Sequence, residues 1–126
     1  MLRTGIYFAS ILAAPGACAA AKALPDDLPG AIREFDAAAG KHDQFRKANV
    51  DSVFNTEAMA RCASLAFKDK ERFTIVFVID EAGHVTRVYY EPKTALGTCL
   101  ANELRRTSFL VPPEAPFFVK YDINAM

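Results

Sequence analysis

The segment VIDEAGHV, residues 78–85, carries two adjacent carboxylates, Asp80 and Glu81, and one of the chain's two histidines, His84. Such a group could serve general acid–base catalysis or metal binding. Acid–base work by two carboxyl groups needs a cleft that moves their pKa values apart, and an exposed turn supplies little desolvation. Because alternating apolar residues flank the segment, we expect Asp80 and Gly83 to form the turn of a β-hairpin, not an active site.

Other residue types that support catalysis or cofactor binding do not fall into a functional pattern. His42 lies in a polar stretch, and neither histidine has a second His or Cys at metal-ligand spacing. The chain contains no P-loop and no Rossmann glycine pattern. No serine of the chain lies in a G-x-S-x-G motif. The serines are Ser10, Ser52, Ser64 and Ser108. We therefore expect a protein without catalytic activity, metal or cofactor.

The composition is that of one globular domain. The chain has 126 residues, 52% apolar and 24% charged, which fits a modest hydrophobic core. Lys plus Arg and Asp plus Glu each number 15, so the formal net charge is zero. Basic residues are scattered and not clustered, so nucleic acid is not an expected partner.

The first 23 residues have the layout of a secretory signal peptide. Arg3 precedes an apolar run over residues 6–14, and a Pro-Gly pair and small residues follow. Cleavage after Ala21 or Ala23 satisfies the small-x-small rule. An N-terminal membrane anchor is the alternative, but the run is shorter than the roughly 20 residues that a span requires. We expect a periplasmic or secreted protein with no stable membrane anchor after cleavage.

The number and positions of the cysteines are consistent with an exported protein. Cys18 falls within the predicted signal peptide, and lipidation there is an alternative that the preceding Pro15 disfavours. Cys62 and Cys99 remain as an even pair, which in an oxidising compartment predicts one disulfide. Two free buried thiols are the alternative.

The first half of the chain predicts helices. Over residues 28–40, apolar side chains recur at helical spacing, with Pro29 suited to the first turn and Gly40 to the end. The polar residues 41–52 predict a connector with a short helical turn. Residues 53–68 are rich in alanine and predict a second helix. Its expected buried stripe contains Met59, Cys62, Ala63, Ala66 and Phe67.

The second half predicts strands around a third helix. Residues 72–80 and 85–91 alternate as a hairpin, residues 98–105 form the surest part of a helix, and residues 117–123 alternate again. We therefore expect an α+β fold in which a small three-stranded antiparallel sheet packs with two or three helices.

From Cys62 onward, the chain resembles the C-terminal domain of TonB-type energy transducers, most closely the cysteine-containing AgmX/PglI type. The resemblance rests on the helix with Cys62, the strand FTIVFVIDEAGHV, the helix with Cys99, and then SFLVPP and the strand FFVKYDI. It implies a helix-strand-strand-helix-strand core and supports the disulfide. It also divides the chain into a signal peptide (1–23), an N-terminal helical extension (24–52) and a TonB C-terminal-like domain (53–126).

Three features depart from that family. Glu71 and Arg72 stand where a glycine is usual, and Ala63 replaces an aromatic residue. The chain also shows neither a membrane-spanning anchor nor a long proline-rich spacer, which argues against energy transduction by this chain alone. Fold by itself does not determine function.

Aromatic residues on the later strands suggest recognition. Aromatic side chains are enriched at interfaces, and the edge of a small sheet can accept an added strand. We expect an exported binding or adaptor module that recognises a protein or peptide. The alternative is an immunity or inhibitor protein against a periplasmic or cell-wall hydrolase. The candidate partner-binding residues, which as core residues would have a structural role instead, are Tyr89, Tyr90, Phe117, Phe118 and Tyr121.

Overall fold

The computed structural model describes residues 23–66 and 72–124. The predicted signal peptide, apart from Ala23, lies outside the described residues, and so do Cys18 and the predicted end of the second helix. Within the described ranges, none of the helices has the length and apolar character that crossing a membrane requires.

The α+β fold predicted from the sequence is confirmed. Three antiparallel strands form one open sheet in the order β2-β1-β3. They are β1 (Arg72–Ile79), β2 (Val85–Glu91) and β3 (Phe117–Asn124). The central strand β1 is nearly all buried, because its neighbours pair on both sides and helices cover both faces.

Helix α1 (Leu28–Ala37) packs on one face of the sheet, which we call the outer face. Asp27 caps its start, where the carboxylate accepts a hydrogen bond from the amide of Gly30. Ala31 is fully buried and packs with Val76, Val78 and Tyr89. The N-terminal extension therefore covers a sheet face that would otherwise be apolar and exposed.

A continuous helical segment over residues 43–66, which we call α2, packs on the opposite, inner face. It starts ten residues before the predicted Val53, so residues 43–52 are helical and not a connector. The helix also runs across the division placed between residues 52 and 53. Only the short stretch around Gly40 and His42, both with positive φ, links α1 to α2.

Two π-helical stretches, Arg46–Asp51 and Phe54–Met59, explain which side of α2 is buried. The residues facing the core recur at every fourth position: Val50, Phe54, Ala58 and Cys62. An α-helix would rotate such a stripe gradually off the sheet, whereas wider turns keep it aligned. Of the predicted stripe, Cys62 is buried, but Ala63 is exposed.

Helix α3 (Ala95–Arg105) lies on the inner face beside β2. Thr94 caps it by accepting a hydrogen bond from the amide of Gly97. The leucines at 96, 100 and 104 are fully buried. A disulfide between Cys62 and Cys99, with Cα atoms 5.9 Å apart, joins α2 to α3. The predicted pairing is therefore present.

Removal of this disulfide should weaken the fold strongly. The bridge closes a loop of 37 residues, and on the chain-entropy model such a loop stabilises by about 4 kcal/mol. We expect the free energy of unfolding, measured by urea titration, to be about 4 kcal/mol lower in the double variant Cys62→Ala/Cys99→Ala than in the wild-type protein. Reduced wild-type protein should show a similar loss. A change below about 1 kcal/mol in both samples would contradict this expectation.

Candidate functional site

The acidic and histidine residues that first suggested chemistry form a hairpin turn. One oxygen of the Asp80 carboxylate accepts hydrogen bonds from the amides of Ala82 and His84, each at 2.9 Å. The bond from His84 is the main reason that the pKa of Asp80 lies below its usual range. Glu81 and His84 are exposed. The carboxylate therefore holds its own turn.

Gly83 connects this turn to the segment that leads into β3. Its φ is +87°, and a Cβ at this position would lie 2.2 Å from the carbonyl oxygen of Phe109. The carbonyl of Gly83 accepts a hydrogen bond from the amide of Phe109 at 2.9 Å. His84 also forms a β-bridge with Ser108. The tip of the hairpin thus serves as a docking point for the chain after α3.

The described part of the chain contains no group of three or more His, Cys, Asp or Glu side chains arranged to hold a metal ion. The Nε2 atom of His42 is 2.8 Å from the carboxylate of Glu114. This hydrogen bond holds the pKa of Glu114 below its usual range.

The five aromatic candidates are divided between the two faces of the sheet. Tyr89 and Phe118 lie on the outer face with α1. Tyr89 is buried, and its hydroxyl donates a 2.7 Å hydrogen bond to the carbonyl of Pro25. Burial raises the pKa of this phenol. On this face the two rings contact the N-terminal helix.

The other three, Tyr90, Phe117 and Tyr121, lie on the inner face. Phe117 is buried, while the hydroxyl of Tyr90 is 2.8 Å from the hydroxyl of Thr98 on α3. Tyr121 donates a hydrogen bond to the Asp51 carboxylate, and burial is the main reason that its pKa is raised. The aromatic residues do not form one continuous surface, and their role in binding stays a prediction.

A cleft of about 360 Å³ lies where β3 begins. It is bounded by the end of α1, the start of α2 and residues 114–118. Arg46 of α2 lies over the rings of Phe35 and Phe117, at 5.4 and 5.7 Å from their centres. The connection between α1 and α2 passes this corner, and contacts from both helices therefore flank the first part of β3.

β2 and β3 form the two edges of the sheet. β2 pairs with β1 only, and Thr86, Arg87 and Glu91 are exposed. Within the described ranges, these three side chains form no hydrogen bond or ion pair, although Arg87 lies 5.3 Å from the centre of the Tyr89 ring. Thr86 is skipped in the pairing with β1, where Val78 faces Arg87 and Ile79 faces Val85. We regard this edge as the candidate site.

Sequence reasoning identified the aromatic side chains and anticipated that an edge of the small sheet could accept a strand, but it did not say which edge. The exposed pair Arg87 and Glu91 was the one available indication. Apolar residues on both faces of residues 72–80 predict a central strand, and β1 is central in the sheet. Comparisons of the chain with protein-family models, curated proteins and solved structures found no match.

Gly83 and Gly40 offer a matched test of the hairpin contact. Both have positive φ, but a Cβ at Gly40 would meet no atom within 4 Å. Gly83→Ala should therefore lower the free energy of unfolding by at least about 2 kcal/mol more than Gly40→Ala, since only the former adds a backbone clash. Urea titration of both variants measures the difference. Equal losses would show that the contact with Phe109 is unimportant.

Proposed function

We propose that this protein is a non-catalytic binding module that takes up an extended peptide segment of a partner protein on the outer edge of β2. The observation that carries the proposal is the exposed, one-sided pairing of this strand. An edge strand presents unpaired amide and carbonyl groups, and a peptide can satisfy them by becoming a further strand.

The contacts around β3 favour β2 as the accepting edge. Helices α1 and α2 contact β3 through Phe35, Arg46 and Asp51. A peptide beside β3 would meet these elements near the start of the strand. Beside β2, it would meet the exposed side chains of Thr86, Arg87 and Glu91, while the contacts of this strand with α3 and with Pro25 lie on the faces of the sheet, through Tyr90 and Tyr89.

The two sides of β2 indicate what kind of peptide fits. Arg87, Tyr89 and Glu91 share the outer side, because their partners on β1 alternate with those of Val88 and Tyr90. Val88 and Tyr90 are half-buried and pack against the inner core. A peptide strand with apolar side chains on its inner side and charged side chains on its outer side would therefore complement both sides of β2.

Several features support an exported protein. The N-terminal sequence predicts a signal peptide, and a disulfide such as Cys62–Cys99 persists in oxidising compartments. The TonB C-terminal-like pattern is also consistent with protein recognition in the periplasm. In this proposal, the module acts there by binding and carries out no reaction.

Thr86 provides the test of edge binding. Peptides that bind the wild-type protein are first selected from a displayed random library, and their affinities are then measured by calorimetry. Thr86→Pro removes an amide on the skipped residue of β2, and should weaken binding about tenfold or more. Thr86→Val keeps the amide and a similar shape, and it should bind like the wild type.

Circular dichroism and urea unfolding establish that both variants fold. Equal peptide affinity for Thr86→Pro and Thr86→Val would overturn the proposal. A failure to select any peptide that perturbs the backbone NMR signals of β2 would also overturn it.

A further inference from the structure

The charges on the outer side of β2 have a symmetrical arrangement. Arg87 and Glu91 lie two positions before and after Tyr89, on the same side of the strand. Both are exposed, and neither forms an ion pair within the described residues. When two copies of such a strand pair in the antiparallel direction about the central residue, each charged side chain of one copy lies opposite a side chain of opposite charge in the other.

The register of such a pair follows from the strand alone. If Tyr89 faces Tyr89 of a second copy, Arg87 of each chain faces Glu91 of the other. Val88 then faces Tyr90 on the opposite side of the sheet. A two-fold axis perpendicular to the sheet keeps like faces together, so the charged residues of both chains meet on one face.

We propose that two copies of this protein associate through antiparallel pairing of their β2 strands, which joins the two sheets into one of six strands. The inference rests on the proposed function, because it uses the same strand-accepting edge. The second copy is the occupant because a single register, with Tyr89 facing Tyr89, places opposite charges together and apolar residues together. Two Arg87–Glu91 pairs and two Val88–Tyr90 pairs accompany the backbone ladder.

The alternative role of edge charges is to prevent pairing between sheets. Charges act in this way when pairing brings like charges together or buries them without partners. In the register centred on Tyr89, each charge instead meets its opposite. The contact area of one strand per chain is small, so the dimer should be weak, concentration-dependent and salt-sensitive.

Charge reversal gives a direct test by sedimentation equilibrium of the full, folded protein. Arg87→Glu places a carboxylate opposite the Glu91 carboxylate of the second copy, and Glu91→Arg places a guanidinium opposite that of Arg87. Each single variant should raise the dimer dissociation constant at least about tenfold, because two attractions become two repulsions. The double variant Arg87→Glu/Glu91→Arg should recover wild-type association, since the charges are merely exchanged.

Mixing the two single variants makes the test sharper. In a mixed pair, the carboxylate introduced by Arg87→Glu in one chain faces the guanidinium introduced by Glu91→Arg in the other. The native Glu91 of the first chain faces the native Arg87 of the second. The mixture should therefore associate with an affinity near that of the wild type. Lys47→Glu on α2, an exposed residue with the same charge change as Arg87→Glu, should leave association unaltered.

Specific outcomes would overturn the inference. These are a wild-type protein that stays monomeric at the highest soluble concentration, single reversals that dimerise like Lys47→Glu, or a mixture that associates no better than its components. Peptide binding to β2 by a strictly monomeric protein would leave the proposed function intact and refute the dimer. The two proposals therefore fail separately.

Discussion

The central strand β1 is the constraint on which the rest of the structure depends. It is flanked by β2 and β3, and its side chains are apolar on both sides. Phe73, Ile75, Phe77 and Ile79 face α2 and α3, while Val76 and Val78 face α1. A strand of this kind is stable only when both faces of the sheet are covered. Helix α1 is therefore an integral part of the fold and not an appendage.

Coverage of both faces leaves the sheet open only at its edges. The disulfide joins α2 and α3 on the inner face, and the contact between Gly83 and Phe109 fixes the segment that leads to β3. The disulfide holds Cys62 and Cys99, and the Asp80 carboxylate is bound by the amides of its own turn. The surface that we propose for recognition is the outer edge of β2 with its exposed side chains.

Local patterns predicted the features that depend on neighbouring residues. Alternation gave the strands, the Asp80–Gly83 spacing gave the turn, and an even cysteine pair in a chain predicted to be exported gave the bridge. Helical periodicity also anticipated the apolar face of α1. These predictions succeeded because each rests on side-chain direction or on turn geometry within a few residues.

Features that depend on packing between distant segments were not predictable in this way. Residues 43–52 are polar and short of helical signals, yet contacts of Phe45 with Phe117 and of Asp51 with Tyr121 keep them helical. Ala63 lies outside the buried stripe, which follows every fourth residue from Val50 to Cys62.

The central claim, that the outer edge of β2 accepts a strand, can be measured by amide hydrogen exchange followed by NMR. Spectra of dilute protein are compared with spectra at high concentration or with a selected peptide at saturation. We predict that alternate amides between Thr86 and Glu91 become protected, while those along β3 do not change. Protection that appears along β3, or at neither edge, would contradict the claim.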